Sequence, residues 1–288
     1  EACKPSNDVE ANIRLFKRYN YIKTRLNKIY AAHLTGTPEW ELKCGISLHA
    51  YLESEHVTAI RKRVTEMRNP PHHLDKVPDD KLEALMEEVI RAKDSLELLT
   101  GIYQVLKPAM LLQLRRHVEI THPIFDYPTL RMLRMIIQEE EEMLAFGNQS
   151  LQALIHNQED HERAEQWSAH VAAYLTAAGG ISGEDDVPDD LVLPAPRSDG
   201  SRYVMQTVPQ RDQRFDPSLS TAIVPKTIYD ESRPYDERAF ALILRRLSEI
   251  DVPDWMAPII YETEGKPWEY YADLSRQMWD ESRHAMMG

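Results

Sequence analysis

Cysteine is almost absent from this chain of 288 residues, in which only Cys3 and Cys44 occur. Two thiols cannot build a disulfide framework, and no Cys-x-x-Cys pair is present for a zinc ribbon or an iron–sulfur cluster. This usage is typical of proteins in a reducing compartment, so we expect a cytoplasmic protein. A run of about 18 apolar residues is also lacking, and we therefore expect no membrane-spanning helix.

Glycine is scarce as well, with 10 residues against 18 prolines. Together with abundant leucine, glutamate, arginine and alanine, this composition favours long helices joined by proline-marked turns, and it predicts an all-α fold. The net charge of -13 argues against nucleic acid or an anionic membrane surface as a partner. Because no H-E-x-x-H, G-x-S-x-G, P-loop or G-x-G-x-x-G motif occurs, the corresponding protease, hydrolase and nucleotide sites find no support.

Apolar residues that recur every three or four positions predict four long helices on short connections, over 7–33, 38–68, 78–122 and 127–178. We expect a kink at Pro108 in the third helix and consider a break near Gly147 in the fourth. Helices on short connections pack as antiparallel neighbours, which predicts a four-helix bundle. Residues 179–230 are rich in Pro, Asp, Gly and Ser and predict a long irregular crossover. Extra helices are expected over 235–250 and from 266 onward.

Two Glu-x-x-His motifs lie on two different predicted helices, Glu53 to His56 in the second helix and Glu281 to His284 in the last. Residues i and i+3 of an α-helix share a face, so each motif points a carboxylate and an imidazole in one direction. Apolar neighbours at helical spacing predict that both motifs face the core. A buried carboxylate is costly unless it is paired or bound to a metal, so these motifs point to a metal site.

Carboxylates on other helices could complete such a site. Glu140 is the best inward candidate of the run Glu139–Glu142, because the apolar stripe of the fourth helix passes through it; Glu139 is the second. Glu97, in the third helix, is the candidate for a fourth carboxylate, although its leucine neighbours leave its facing ambiguous. His49 shares the stripe of the first motif and is interpreted as a hydrogen-bonded core histidine.

With these residues and the string RQMWDESRHA in the last helix, the chain resembles the ferritin-like superfamily of carboxylate-bridged di-metal proteins over residues 38–160 and 266–288. The resemblance implies a single ferritin-like helical domain over 1–288, an antiparallel four-helix bundle with extra helices and the crossover 179–230 as an insertion. It also implies two Fe or Mn ions and an oxidoreductase that activates dioxygen or peroxide on a small organic substrate. The metal ligands it implies are Glu53, His56, Glu140, Glu281, His284 and Glu97.

The alternative is a ferritin-fold helical protein with a degenerate, metal-free centre, acting as a binding or structural module. In that case Glu53 and Glu281 would pair with arginine or lysine side chains. The lack of a clear fourth carboxylate favours this alternative, whereas the mixed carboxylate and imidazole ligands suit Fe and Mn if a metal is bound. A homo-dimer through the long helices is the assembly we consider.

Overall fold

The computed structural model describes residues 6–70, 74–215 and 223–288, and within these ranges it contains helices and no strand. The all-α prediction is therefore confirmed for this part of the chain. A π-helical stretch, Thr100–Leu106, joins the fourth helix to the fifth, and a 3₁₀ turn, Ser248–Ile250, precedes the tenth. The α-helices are α1 Val9–Leu34, α2 Trp40–Glu66, α3 Asp80–Val89, α4 Ser95–Leu99, α5 Lys107–Ile120, α6 Tyr127–Leu154, α7 Gln158–Ala177, α8 Ile223–Tyr229, α9 Tyr235–Leu247, α10 Asp251–Glu262 and α11 Trp268–Met286.

The chain divides into two compact units, each assembled from two stretches of sequence. Unit 1 comprises Glu1–Arg25 and Glu55–Tyr203, and unit 2 comprises Leu26–Ser54 and Val204–Gly288. The chain passes from one unit to the other within α1 and again within α2, both of which are uninterrupted helices. The single domain over 1–288 and the ferritin-like bundle stay predictions.

The third predicted helix differs most from the structure. Instead of one helix over 78–122 with a kink, the chain forms α3, α4, the π-helical stretch and α5. Asp94 begins a new helix, since its side chain accepts a hydrogen bond from the backbone N–H of Glu97 at 3.0 Å. Pro108 lies in the first turn of α5, where its missing N–H is tolerated.

The fourth predicted helix breaks after Leu154 and not near Gly147. Asn157 caps the new helix α7 by accepting a hydrogen bond from the backbone N–H of Asp160 at 2.9 Å. The predicted crossover 179–230 contains the short helix α8, and a further helix, α10, lies between the two helices predicted near the end of the chain. None of the described helices combines the length and the apolar character that crossing a membrane requires.

Gly147 lies in the interior of α6 and allows a close approach to the π-helical stretch. A Cβ atom at this position would overlap the ring of Tyr103, which is fully buried. Replacing glycine by alanine in an open helix would stabilise it by about 1 kcal/mol, but the steric overlap here works against this gain.

We therefore expect Gly147→Ala to lower the free energy of unfolding by about 1–3 kcal/mol, the usual cost of overpacking a core. Urea denaturation followed by circular dichroism measures the change. The matched control is Asn148→Ala, because Asn148 is exposed on the same helix. Equal stability of the two variants would show that the Tyr103 ring yields to a methyl group without cost.

Two segments of the predicted crossover are held by buried carboxylates. In unit 1, Arg197 lies over the ring of Trp167, 3.8 Å from its centroid, and donates to both oxygens of Glu97 at 2.6 and 3.1 Å. In unit 2, Arg211 donates to Asp254 at 2.6 Å. These charge-assisted contacts fix irregular backbone that has no regular secondary structure of its own.

In unit 2, polar contacts between buried side chains position α11. Asn27 donates to the backbone oxygen of Ala50 at 2.7 Å and to the hydroxyl of Ser275 at 2.8 Å. Ser282 donates to the hydroxyl of Ser47 at 2.9 Å. Because Ser282 lies inside the second Glu-x-x-His motif, this contact fixes the helical face on which Glu281 and His284 are presented.

Candidate metal centre

Helix α6 carries Glu140 into the core of unit 1. Its stripe of buried residues, which includes Ile136, Met143 and Gly147, passes through this carboxylate, whose side chain is 1% exposed. The predicted inward facing of Glu140 is confirmed. Glu139 is partly exposed at 29%, whereas Glu141 and Glu142 face the solvent, as the stripe predicts.

Two buried lysines bind Glu140. Lys23 on α1 forms an ion pair with Oε1, and Lys107 at the start of α5 lies 3.2 Å from Oε1 and 3.1 Å from Oε2. Both ammonium groups are almost fully removed from solvent. The sequence prediction missed these two residues, although Lys23 continues the apolar stripe of α1 through Phe16 and Tyr19 and could have been noticed there.

His56 on α2 completes a chain of contacts in unit 1. Its Nδ1 lies 3.0 Å from Nζ of Lys23, and its Nε2 lies 2.7 Å from Oε2 of Glu139. An ammonium group has no acceptor, so Nδ1 accepts from Lys23 and the hydrogen-bond pattern assigns the proton to Nε2, which donates to Glu139. Glu139 thus fixes the tautomer and the orientation of an imidazole that is fully buried.

Glu53 lies one turn before His56 on the same uninterrupted helix and is also buried. Ligand atoms of Glu53, His56 and Glu140 lie within 4.8 Å of one another. Three of the six predicted ligands are therefore brought together, with a donor set of two carboxylates and one imidazole.

The second Glu-x-x-His motif meets a different carboxylate, inside unit 2. Nδ1 of His284 lies 3.2 Å from Oε2 of Glu281 and 3.2 Å from Oε2 of Glu249, which follows α9 in the 3₁₀ turn. These three residues are only partly buried, and Glu249 also pairs with Arg246 at 2.8 Å. Among the described residues, the two motifs fall in different groups of side chains that could hold a metal. The sequence prediction missed Glu249, although this residue lies at the end of the helix predicted over 235–250.

Glu97 joins neither group. It is buried, but its oxygens accept hydrogen bonds from Arg197, and Oε2 also accepts from the backbone N–H of Lys93 at 2.8 Å. Its role as a fourth metal ligand stays a prediction, while the structure gives this carboxylate a role in holding the segment around Arg197. In unit 2, His49 is buried beside Tyr30, with ring centroids 6.1 Å apart, as interpreted for a core histidine.

No protein-family model matches the chain, and neither a curated protein nor a solved structure matches it. The ferritin-like resemblance therefore depends on the residues alone.

The donor chemistry of Glu53, His56 and Glu140 fits Fe or Mn, since hard carboxylate oxygens and imidazole suit both metals.

Proposed function

We propose that this chain is a carboxylate–imidazole metalloprotein of ferritin-like type, an oxidoreductase that oxidises a small organic substrate with dioxygen or peroxide. The observation that carries the proposal is the convergence of Glu53, His56 and Glu140 in buried positions. Buried titratable groups that converge are typical of functional sites. The two expected Fe or Mn ions are assigned to two places, one at each Glu-x-x-His motif, because the motifs belong to separate groups.

The bound ion would supply the redox chemistry, and the protein residues would supply geometry and charge. Glu139 orients the imidazole of His56 through a hydrogen bond of 2.7 Å. Lys107 holds Glu140 in place, and its ammonium group also lies 3.3 Å from the sulfur of Met143. Because these groups are buried, water is kept from the metal ligands and each electrostatic contact is strengthened.

A second candidate is the helical protein with a metal-free centre. The pairing of Glu140 with Lys23 and Lys107 favours it, because lysine ammonium groups neutralise the carboxylate without a metal. Unit 2 shows the same arrangement at Asp254, which is buried between Lys43 at 2.8 Å and Arg211 at 2.6 Å. Burial raises the pKa of Asp254 and lowers that of Lys43, while the opposite charges oppose both shifts.

Metal analysis of protein purified without chelator tests the proposal. We expect about two Fe or Mn ions per chain, one at each of the two groups. His56→Ala should remove one ion and His284→Ala the other, because each variant deletes the imidazole of one group. Mass spectrometry of the elements gives the ratio, and circular dichroism confirms that each variant is folded.

The control is His161→Ala, since His161 is exposed at 56% and belongs to neither group. A metal-free wild-type chain whose thermal midpoint is unchanged by added Fe²⁺ or Mn²⁺ would support the metal-free candidate instead. Equal metal loss in the His161 control would mean that the metal is bound outside both motifs.

A further inference from the structure

The ammonium group of Lys23 lies where two of the proposed metal ligands meet. Its Nζ is 3.0 Å from Nδ1 of His56 and forms an ion pair with Oε1 of Glu140. These two ligand atoms are themselves 3.8 Å apart. All three residues belong to unit 1, and each side chain is at most 1% exposed.

A metal ion bound to both ligand atoms would meet this ammonium group. Metal bonds to imidazole nitrogen and carboxylate oxygen are about 2.0–2.2 Å long. An ion that bridges two atoms 3.8 Å apart at such lengths lies close to their midpoint, and hence within roughly 3 Å of Nζ. A protonated amine has no lone pair with which to bind the ion, and two cations at this distance repel strongly.

We propose that Lys23 is a built-in cation that competes with the metal for His56 and Glu140, and so sets the metal affinity of this centre. The inference rests on the proposed metal site and concerns its regulation. With the lysine seated, the carboxylate and the imidazole are satisfied without a metal. Metal binding requires the Lys23 side chain to leave both ligands, and this displacement lowers the apparent affinity.

Lys107 provides a matched comparison. It is buried to the same degree and also binds Glu140, at 3.1 Å, and its ammonium group lies 3.3 Å from the sulfur of Met143. Removing Lys107 therefore takes one cation from Glu140 and leaves Lys23 seated between the two ligands. If position between the ligands matters, and not charge alone, the two lysines have unequal effects.

The test is Mn²⁺ binding by isothermal titration calorimetry to chelator-stripped protein in a His284→Ala background, so that the His56 group alone is measured. We expect Lys23→Met to bind Mn²⁺ about tenfold or more tightly than the parent, corresponding to about 1.4 kcal/mol. Lys107→Met should change the affinity by less than about threefold. Adding His56→Ala to Lys23→Met should abolish the gain. Lys23→Gln is the second variant, which keeps a polar group if Lys23→Met does not fold.

The outcomes separate this inference from the proposed function. Binding by the parent with no gain in either Lys23 variant overturns the competition and leaves the metal site standing. Binding by the Lys23 variants but not by the parent supports the competition and makes the parent centre metal-free. Absence of binding in all variants overturns both, and an equal gain in Lys23→Met and Lys107→Met overturns the competition in favour of a general charge effect.

Discussion

Glu140→Leu is expected to lower the free energy of unfolding by about 3–5 kcal/mol, the cost of removing one partner from a buried ion pair. The substitution leaves the ammonium groups of Lys23 and Lys107 buried without the carboxylate that both now contact. Urea denaturation in the presence of a chelator measures this loss without any contribution from bound metal. Glu141→Gln is the matched control, because Glu141 is the next residue and pairs with Arg115 at the surface.

The control should cost at most about 1 kcal/mol, as surface ion pairs do. A rescue variant isolates the electrostatic cause: Glu140→Leu combined with Lys23→Met and Lys107→Met replaces the whole charged group with apolar side chains. Such replacements are often neutral or stabilising, so the triple variant should regain most of the lost stability. A triple variant as unstable as Glu140→Leu alone would attribute the loss to packing and not to charge.

The first two helices could be predicted closely from the sequence. Residues 7–33 and 38–68 carry unbroken apolar stripes separated by a turn at Gly36, and α1 and α2 follow them within about two residues. The third helix could not be predicted in this way. The side chain of Asp94 caps a new helix through a local hydrogen bond, and the spacing of apolar residues does not reveal such a bond.

In the candidate site, too, the sequence predicts which face of its helix a residue lies on, but not which residue it contacts. Periodicity predicted that Glu140 faces the core, because the position of a residue on its own helix is a local property. It did not predict that Lys23, 117 positions away, would contact this carboxylate. Such a pairing depends on the register between helices, and an irregular segment such as that of Arg197 has no periodic signal at all.

The cost of a buried charge explains why these missed partners are basic. Three buried carboxylates of unit 1 have a cationic or imidazole partner: lysines for Glu140, Arg197 for Glu97, and His170 at 2.7 Å for Glu88. An inward-facing carboxylate in a helical sequence therefore predicts a basic partner or a metal ion. At His56, the metal content of the wild type and of His56→Ala distinguishes a basic partner from a bound metal ion.

His117 is expected to make the stability of the protein depend on pH. It is fully buried in unit 1, where Nε2 lies 2.8 Å from Oδ1 of Asn12 and Nδ1 lies 3.4 Å from the hydroxyl of Tyr19. Burial lowers its pKa to about 4, and the carboxylate of Asp126 opposes this shift. An unfolded histidine has a pKa of about 6.5.

The folded pKa is thus depressed, so the contribution of neutral His117 is complete above about pH 6.5 and is lost as the pH falls toward 4. Between these values the unfolded chain binds a proton that the folded chain does not, and stability falls by about 1.4 kcal/mol per pH unit. We expect a total loss of about 3 kcal/mol from this group. His117→Gln removes the titration and keeps a polar side chain.

Urea denaturation at about pH 7, 6 and 5 measures the difference in unfolding free energy between wild type and His117→Gln. Below about pH 6, the unfolding free energy of the wild type should fall relative to that of His117→Gln by about 1.4 kcal/mol per pH unit, because only the wild type carries the titrating group. Carboxylates that titrate in both proteins cancel in this comparison. His161→Gln, at an exposed position, is the control for replacing a histidine by glutamine. A difference that is constant over this range would show that His117 titrates equally in the folded and unfolded chains.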